Sequence, residues 1–295
     1  MYMQNITTIK PTVKGFFDIA TNTISYVVSD PTTKKCAIID SVADYEPNSA
    51  TLTYSGAEIL LDYIEKENLK VEWILETHIH ADHITAATYL KEKTGAKIAM
   101  GKEIEMVSKI FTPIFFKESG IDLSSFDQLF SNEEFFTIGN LEVRVIHVPG
   151  HTPADVAYII GDAVFAGDTV FMPDYGSARC DFPGGSAETL YHSVHKLFSL
   201  PDETRLFMCH DYLPKDRTDY MFETTIGKEK SENIHLKTTF TQEEFIKMRE
   251  AKDKTLGMPR LIIPSLQVNL HAGKMQKING ILTLVTPVNS LFSKQ

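Results

Sequence analysis

The chain has 295 residues, 43% of them hydrophobic, so it can bury a sizeable core without disulfides or a structural metal. Its 29 basic and 39 acidic residues give a net charge of −10, which argues against a general nucleic-acid-binding surface. The three cysteines form no CxxC pair, the first five residues show no signal-peptide pattern, and no apolar run approaches the length of a membrane span. We expect a cytoplasmic protein with no membrane and no nucleic-acid partner.

The first third of the sequence predicts short strands that alternate with helices. Strands are predicted at 24–28 and 36–40 around a turn at 30–33, followed by a helix at 57–68 and a buried strand at 71–75. A helix is then predicted at 81–93, ending at Thr94-Gly95.

The segment from about 103 to 136 is rich in phenylalanine. Its aromatic residues include Phe111, Phe115, Phe116, Phe126, Phe130, Phe135 and Phe136. We interpret it as a helical insertion that packs on the core, in preference to a substrate-binding or dimer-forming segment.

The second half predicts strands at 141–148, 156–160, 163–166 and 205–209, with a helix at 187–200. A further helix is predicted at 241–254, where Thr241 and Glu244 form a capping-box pattern. From 259 onward we expect strand and loop that pack back on the domain. Because no repeat or linker is visible, we expect a single domain over 1–295, with a C-terminal extension at about 236–295.

Histidine and aspartate residues follow four of the predicted strands. The run is Thr77-His78-Ile79-His80-Ala81-Asp82-His83, and the later motifs are Gly150-His151-Thr152, Ala166-Gly167-Asp168 and Cys209-His210-Asp211-Tyr212. Strands of one sheet end at a common edge, so these side chains are expected to converge. The His-x-His spacing puts His78 and His80 on the same side of an extended chain. Imidazole and carboxylate are ligands for zinc, iron or manganese, so the pattern predicts a metalloenzyme.

This motif series resembles that of the metallo-β-lactamase superfamily. The resemblance implies an α/β fold, an αββα four-layer sandwich with the metal site at one edge of the two sheets. Carried over by motif, His78, His80 and His151 would hold one metal ion. Asp82, His83 and His210 would hold a second ion, and Asp168 would bridge the two.

The residues after Asp168 resemble one branch of this superfamily. The run Arg179-Cys180-Asp181-Phe182, followed by the segment 186–194 with its Leu-Tyr-x-Ser pattern, is similar to the persulfide dioxygenases and their beta-lactamase-like hydrolase relatives. The resemblance implies one Fe(II) ion held by His78, His151 and Asp168, with the other potential ligands in a supporting role. It also implies a homodimer that oxidises a glutathione-type persulfide with O2 to sulfite and thiol.

Two other functions remain open. The metal motifs and Tyr212 are also similar to glyoxalase II, which implies a thioester hydrolase with two Zn(II) ions, although glyoxalase II lacks the Asp-Phe continuation after the arginine. A non-catalytic metal-binding module is disfavoured by the full set of seven potential ligands.

Two residues are candidates for binding substrate. Arg179 can bind a substrate carboxylate through two parallel hydrogen bonds, or can form a structural ion pair with Asp181. Tyr212 can donate a hydrogen bond to substrate and so take part in catalysis, or can be a packed tyrosine. We interpret Cys180 and Cys209 as small buried apolar residues. The segment 172–178 departs from the glutathione-persulfide enzymes, which leaves the thiol carrier open.

Overall fold

The structure, a computed structural model, describes residues 9–116 and 120–288. The strands are β1 (Thr12–Asp18), β2 (Thr23–Ser29), β3 (Lys35–Ile39), β4 (Val42–Glu46), β5 (Thr51–Thr53), β6 (Lys70–Leu75), β7 (Ile84–Thr85), β8 (Lys97–Gly101), β9 (Gln128–Phe130), β10 (Phe135–Ile138), β11 (Leu141–His147), β12 (Val156–Ile160), β13 (Ala163–Phe165), β14 (Arg205–Phe207), β15 (Glu223–Thr225), β16 (Lys277–Ile278) and β17 (Ile281–Leu282). The α-helices are α1 (Ser55–Lys66), α2 (Ala87–Thr94), α3 (Ile104–Phe115), α4 (Ala187–Phe198), α5 (Ile226–Glu232), α6 (Gln242–Asp253) and α7 (Ile262–Asn269).

Two six-stranded sheets form the centre of the fold. The first has the order β1-β2-β3-β6-β8-β9, antiparallel at the β1 side and parallel from β3 onward. The second has the order β10-β11-β12-β13-β14-β15 and is antiparallel except between β13 and β14. Each parallel pair requires a crossover, and α1, α2 and α4 lie in these crossovers.

Three apolar clusters show how the layers pack. Alternating residues of the two sheets, among them Tyr26, Val143 and Phe207, form the core between them. The opposite face of the first sheet packs against α1, α2, α3 and α7 through residues such as Leu60 and Phe111. The opposite face of the second sheet packs against α4 and α6. The sequence of layers is helix, sheet, sheet, helix, so the expected αββα sandwich is confirmed.

Most of the predicted elements are present. The predicted strands correspond to β2, β3, β6, β11, β12, β13 and β14, and the predicted helices at 57–68, 187–200 and 241–254 correspond to α1, α4 and α6. The hydroxyl of Thr241 accepts a hydrogen bond from the backbone N–H of Glu244, and the carboxylate of Glu244 accepts one from the backbone N–H of Thr241. The predicted capping box is therefore present. Gly95 ends α2 with a left-handed backbone, which a residue without a Cβ adopts most easily.

Three expectations differ from the structure. The predicted helix at 81–93 begins only at Ala87, because residues 81–86 form the ligand loop and β7. The segment 103–136 is only partly helical: after α3 it contributes β9 and β10, the edge strands of the two sheets. The tail beyond 259 contains the helix α7, whose buried Leu266 and Val268 pack in the first helical layer.

The N-terminal residues 1–5, where no signal pattern is expected, lie outside the described residues. Among the residues that are described, no helix is both long enough and apolar enough to cross a membrane.

Candidate metal centre

The ligand loops lie at one edge of the sandwich, where strands of both sheets end. The loop 77–83 follows β6, and His151 lies between β11 and β12. Asp168 follows β13 and His210 follows β14. Gly167 has a φ of +53°, and a Cβ there would lie 2.5 Å from Oγ1 of Thr77. Glycine at this position therefore lets Asp168 approach the histidine loop.

Two imidazoles and one carboxylate form a first group of potential ligands. The group consists of His78, His151 and Asp168, which are all buried. Each offers one ligand atom, and these three atoms lie within 4.8 Å of one another. Oδ2 of Asp168 is 3.7 Å from Nε2 of His151 and 3.9 Å from Nε2 of His78. The geometry therefore brings together the three residues predicted to form the iron-binding face.

A second group lies beside the first. It comprises His80, Asp82, His83 and His210, with one ligand atom of each within 4.8 Å of the others. Nε2 of His210 is 3.2 Å from Oδ2 of Asp82 and 3.4 Å from Oδ1 of Asp168. Asp168 therefore contacts both groups, one through each carboxylate oxygen.

Hydrogen bonds fix which nitrogen of each histidine faces the centre. Nδ1 of His151 donates to the carbonyl of Arg179 at 2.8 Å, and Nδ1 of His210 donates to the carbonyl of Asn22 at 3.1 Å. A carbonyl can only accept, so in the neutral ring the lone pair lies on Nε2 in both residues. This is the tautomer that a metal ligand requires.

The first two histidines have buried partners of a different kind. Nδ1 of His78 lies 3.0 Å from Oγ1 of Thr77, whose hydroxyl donates to Oδ2 of Asp40 at 2.9 Å. Nε2 of His80 lies 3.1 Å from Oδ1 of Asp40 and 3.4 Å from Oε2 of Glu76. His78 therefore presents Nε2 to the centre and His80 presents Nδ1. Neither Asp40 nor Glu76 belongs to the histidine motifs, and sequence analysis missed both.

Unpaired polar atoms show that the residues fit a metal ion. Five buried atoms at the centre have no hydrogen-bond partner among the described residues: Nε2 of His78, Nδ1 of His80, Nε2 of His83, Oδ1 of Asp168 and Nε2 of His210. Buried polar groups without partners are costly, and here their ligand atoms converge on two neighbouring points. Cations bound at these two points would satisfy all five atoms.

The electrostatics of the centre also favour a bound cation. Burial opposes the charge of His80, but the buried carboxylates of Asp40 and Glu76 outweigh burial and raise its pKa well above the ordinary value. Burial and the neighbouring imidazoles instead lower the pKa of His78. Burial opposes ionisation of Asp82 also, but His210 and His83 lower its pKa. The centre therefore combines an ionised carboxylate with a neutral imidazole, and a metal ion would displace the proton from His80.

A cavity of about 340 Å³ opens at the metal centre, and His151 and Asp168 contribute to its wall. Tyr212 also lines it, with its ring stacked on that of His210 at a centroid distance of 5.4 Å. Burial, Asp82 and Asp168 raise the pKa of Tyr212, so its hydroxyl keeps its proton and can donate a hydrogen bond.

Arg179 lines the same cavity, but its side chain is engaged within the protein. Nε and Nη2 donate to the two oxygens of Asp181 at 2.6 and 2.7 Å, and Nη1 donates to the carbonyl of Gly257 at 2.8 Å. The ion pair with Asp181 considered in the sequence analysis is therefore present. Three of the five guanidinium N–H groups have protein partners, which leaves two for a ligand.

Three further cations, Arg249, Lys252 and Arg260, line the cavity, and sequence analysis missed them. Arg249 is paired with Asp253. Lys252, at the end of α6, lies with its ammonium 5.4 Å from the ring centroid of Tyr175, and Arg260 follows α6 in the loop before α7. Among the described residues neither forms an ion pair with a carboxylate. Nothing in the local sequence separates them from surface cations, because only the packing of α6 on the second sheet brings them to the cavity.

The three cysteines, Cys36, Cys180 and Cys209, are all free and buried. Burial raises the pKa of each thiol, so none is a thiolate at neutral pH. The interpretation of Cys180 and Cys209 as buried apolar residues agrees with this burial.

Comparison with known proteins identifies close relatives over nearly the whole chain. The chain is 47% identical to "Glyoxylase B2" of Dictyostelium discoideum, covering 96% of this chain and 98% of that protein. It is 47% identical to a "Beta-lactamase hydrolase-like protein" of Agrobacterium fabrum, covering 95% of this chain but only 65% of that longer protein. The crystal structure of ETHE1 from Myxococcus xanthus is 28% identical with a TM-score of 0.73, covering 89% of this chain and all of that one.

Two more distant relatives carry the names of defined reactions. The human mitochondrial "Persulfide dioxygenase ETHE1" is 25% identical, covering 88% of each chain. A "Hydroxyacylglutathione hydrolase" of a Shewanella strain is 33% identical, covering 53% of this chain and 54% of that one.

The family profile described as "Metallo-beta-lactamase superfamily" matches residues 20–210, which include all seven potential metal ligands. Members of this superfamily are metal-dependent enzymes, in accord with the two ligand groups at the sheet edge. By its sequence, its sandwich fold and its ligand loops, the chain belongs to the metallo-beta-lactamase superfamily.

Proposed function

We propose that this protein is an iron-dependent dioxygenase that oxidises the persulfide of a small acidic thiol of the glutathione type. One observation carries the proposal. His78, His151 and Asp168 form a compact group of two imidazoles and one carboxylate, and two of its members line the cavity. Three protein ligands on one face of an Fe(II) ion leave positions for substrate sulfur and O2. The persulfide dioxygenase name of a distant relative supports the same chemistry.

The proposed reaction balances without a further oxidant. A persulfide RSSH, O2 and water give the thiol RSH, sulfite and two protons. The S–S bond breaks, three S–O bonds form, and the four electrons lost by the terminal sulfur reduce O2. Iron, when bound, would supply the one-electron chemistry that O2 needs and that zinc does not offer.

The protein residues around the centre orient the reactants. The carbonyl of Arg179 holds His151 in the tautomer that leaves Nε2 free. Tyr212, which retains its proton, can donate a hydrogen bond to the thiol sulfur that leaves when the S–S bond breaks.

The cavity supports an anionic, peptide-sized substrate. Its volume of about 340 Å³ lies in the usual range for small-ligand sites. Although the whole chain has a net charge of −10, the cavity wall carries four cations: Arg179, Arg249, Lys252 and Arg260. Lys252 and Arg260 have no carboxylate partner among the described residues, so they are available to the carboxylates of a glutathione-type molecule.

The second ligand group favours one alternative, a thioester hydrolase with two zinc ions. His80, Asp82, His83 and His210 offer four ligand atoms for a second ion, and Asp168 can bridge. The hydroxyacylglutathione hydrolase among the relatives is in accord with this chemistry. The same cationic cavity would serve either substrate.

Metal content and oxygen uptake together separate the two reactions. The purified chain is reconstituted without oxygen with Fe(II) or with Zn(II), and each form is offered glutathione persulfide and S-lactoylglutathione. We expect about one iron per chain, with oxygen uptake and sulfite release on adding the persulfide. Two zinc ions per chain, with thioester cleavage and no oxygen uptake by the iron form, would refute the dioxygenase proposal.

A further inference from the structure

The segment 176–181 connects the cavity to a metal ligand. It contributes Ser177 and Arg179 to the cavity wall, and the carbonyl of Arg179 accepts the hydrogen bond from Nδ1 of His151 at 2.8 Å. The orientation of the His151 ring therefore depends on where this backbone lies. The segment forms no regular helix or strand, so its own hydrogen-bond ladder does not fix it.

Two charged residues of α6 hold this backbone. Arg249 is 1% exposed and donates from Nη1 to the carbonyl of Ser177 at 3.1 Å. Asp253 is 7% exposed and accepts at Oδ2 from the backbone N–H of Cys180 at 2.9 Å. The two contacts lie on either side of Arg179, at Ser177 two residues before it and at Cys180 one residue after it. The carbonyl that orients His151 therefore lies between two fixed points.

The two residues are also bound to each other. Nε and Nη2 of Arg249 lie 2.9 and 2.6 Å from Oδ1 of Asp253, one helical turn away. A buried ion pair costs desolvation on both sides, so it adds little stability compared with apolar residues of similar size. The ion pair instead holds the two buried side chains in one arrangement, together with the carbonyl of Ser177 and the N–H of Cys180 to which they are bonded.

Neighbouring contacts from the same part of the chain add to this support. Nδ1 of His235 accepts from the backbone N–H of Ser177 at 3.0 Å, and Nδ2 of Asn233 donates to the carbonyl of Gly176 at 3.1 Å. All four supporting side chains lie beyond residue 210, outside the range matched by the family profile.

We propose that Arg249 and Asp253 are positioning residues for the metal ligand His151, acting through the backbone of 177–180. The inference rests on the ligand role of His151 within the proposed function, and not on which reaction the metal supports. Loss of the pair would let the Arg179 carbonyl move, and His151 would then lose the partner that fixes its ring and tautomer. Loss of such a supporting contact typically costs 10- to 100-fold in metal affinity.

The double variant Arg249→Met/Asp253→Leu removes both charges together and avoids leaving one unpaired. The probe is Co(II), with its dissociation constant measured by competition with a chelator and its visible absorption spectrum recorded. We expect about tenfold weaker Co(II) binding and an altered spectrum, with cooperative unfolding retained. The matched control, Arg205→Met/Asp162→Leu, removes an ion pair of the second sheet and should leave the affinity unchanged.

A double-mutant cycle shows whether the effect passes through His151. In the His151→Ala background, the Arg249→Met/Asp253→Leu change should weaken Co(II) binding no further. An equal loss with and without His151, or a folded double variant with wild-type affinity, would overturn the proposal. If the double variant does not fold, Asp253→Asn replaces it, and wild-type affinity in that variant also counts against the proposal. Because no turnover is measured, absence of dioxygenase activity leaves this result unaffected.

Discussion

Oδ2 of Asp168 lies 3.7 Å from Nε2 of His151, and its other oxygen faces His210 at 3.4 Å. One carboxylate thus contacts a member of each ligand group of the centre. The number of ions bound and the reaction they support therefore both depend on this residue.

Asp168→Ala should abolish both metal retention and turnover, because no other described side chain faces both ligand groups in this way. Metal content after gel filtration and oxygen uptake with glutathione persulfide check this. Asp202→Ala, which removes an exposed partner of Lys230, is the matched control and should keep both properties. Full activity of the Asp168 variant would show that the site is assigned wrongly.

His78→Ala and His83→Ala should differ if one iron ion is sufficient. We expect the first to lose iron and activity, because His78 belongs to the group of two histidines and one aspartate. The second should retain about one iron per chain with a rate reduced about 10- to 100-fold, since it removes a supporting contact. Equal loss of metal in both variants would instead favour the two-ion hydrolase.

Lys252→Met should raise KM for glutathione persulfide about tenfold and change kcat little if, as proposed, the ammonium binds a substrate carboxylate away from the reacting sulfur. The control is the same persulfide with its carboxylates esterified, for which wild type and variant should have similar KM values. An unchanged KM for the free acid would exclude Lys252 from substrate binding.

Arg179→Ala should mainly lower the free energy of unfolding, by about 1–2 kcal/mol, because it breaks the two hydrogen bonds to Asp181 and the one to Gly257. Its effect on KM should be smaller than that of Lys252→Met. Urea unfolding and steady-state kinetics of the two variants check this order. A large rise in KM at unchanged stability would show that Arg179 is the principal carboxylate-binding residue.

Glu229→Gln should make folding stability less dependent on pH. Glu229 is fully buried, and burial raises its pKa from 4.5 to about 8 despite a hydrogen bond from Asn233. The folded state therefore holds a proton that the unfolded state loses above pH 4.5. The contribution of Glu229 to the stability of the wild type falls between about pH 4.5 and 8 and levels off above that.

Glutamine cannot ionise, so the advantage of the variant should be smallest near pH 4 and should grow up to about pH 8. Urea unfolding of both proteins at pH 5, 7 and 8.5 measures the difference. Burial also raises the pKa of Asp155, to about 7. Asp155 contributes the same pH dependence of stability to both proteins, so its contribution cancels in the difference. A difference that stays constant with pH would contradict the burial of an uncharged Glu229.

The sequence by itself predicted the set of seven potential metal ligands. A strand that ends in a histidine or aspartate motif is a local pattern, and β6, β13 and β14 were each predicted together with the motif that follows them. Because strands of a sheet end at a common edge, the convergence of His78, His151 and Asp168 followed from that pattern. The motif series also gave the αββα fold through its family resemblance.

Tertiary structure decided how each ligand is held. Nε2 of His80 faces Asp40 and Glu76. The spacing of the histidine motif does not predict this pairing. The sequence around Arg179 is compatible both with binding a ligand and with an ion pair to Asp181. Only the folded loop shows the ion pair with Asp181.

Tertiary structure also decided the charge of the cavity. Lys252 lies in the predicted helix at 241–254 and Arg260 in the segment expected to be strand and loop, and neither pattern predicts that both line the cavity. Hydrophobic periodicity records which face of an element is buried, but it does not record which distant element covers that face. The packing of α6 on the second sheet supplies that information, and with it the cationic wall that favours an acidic thiol substrate.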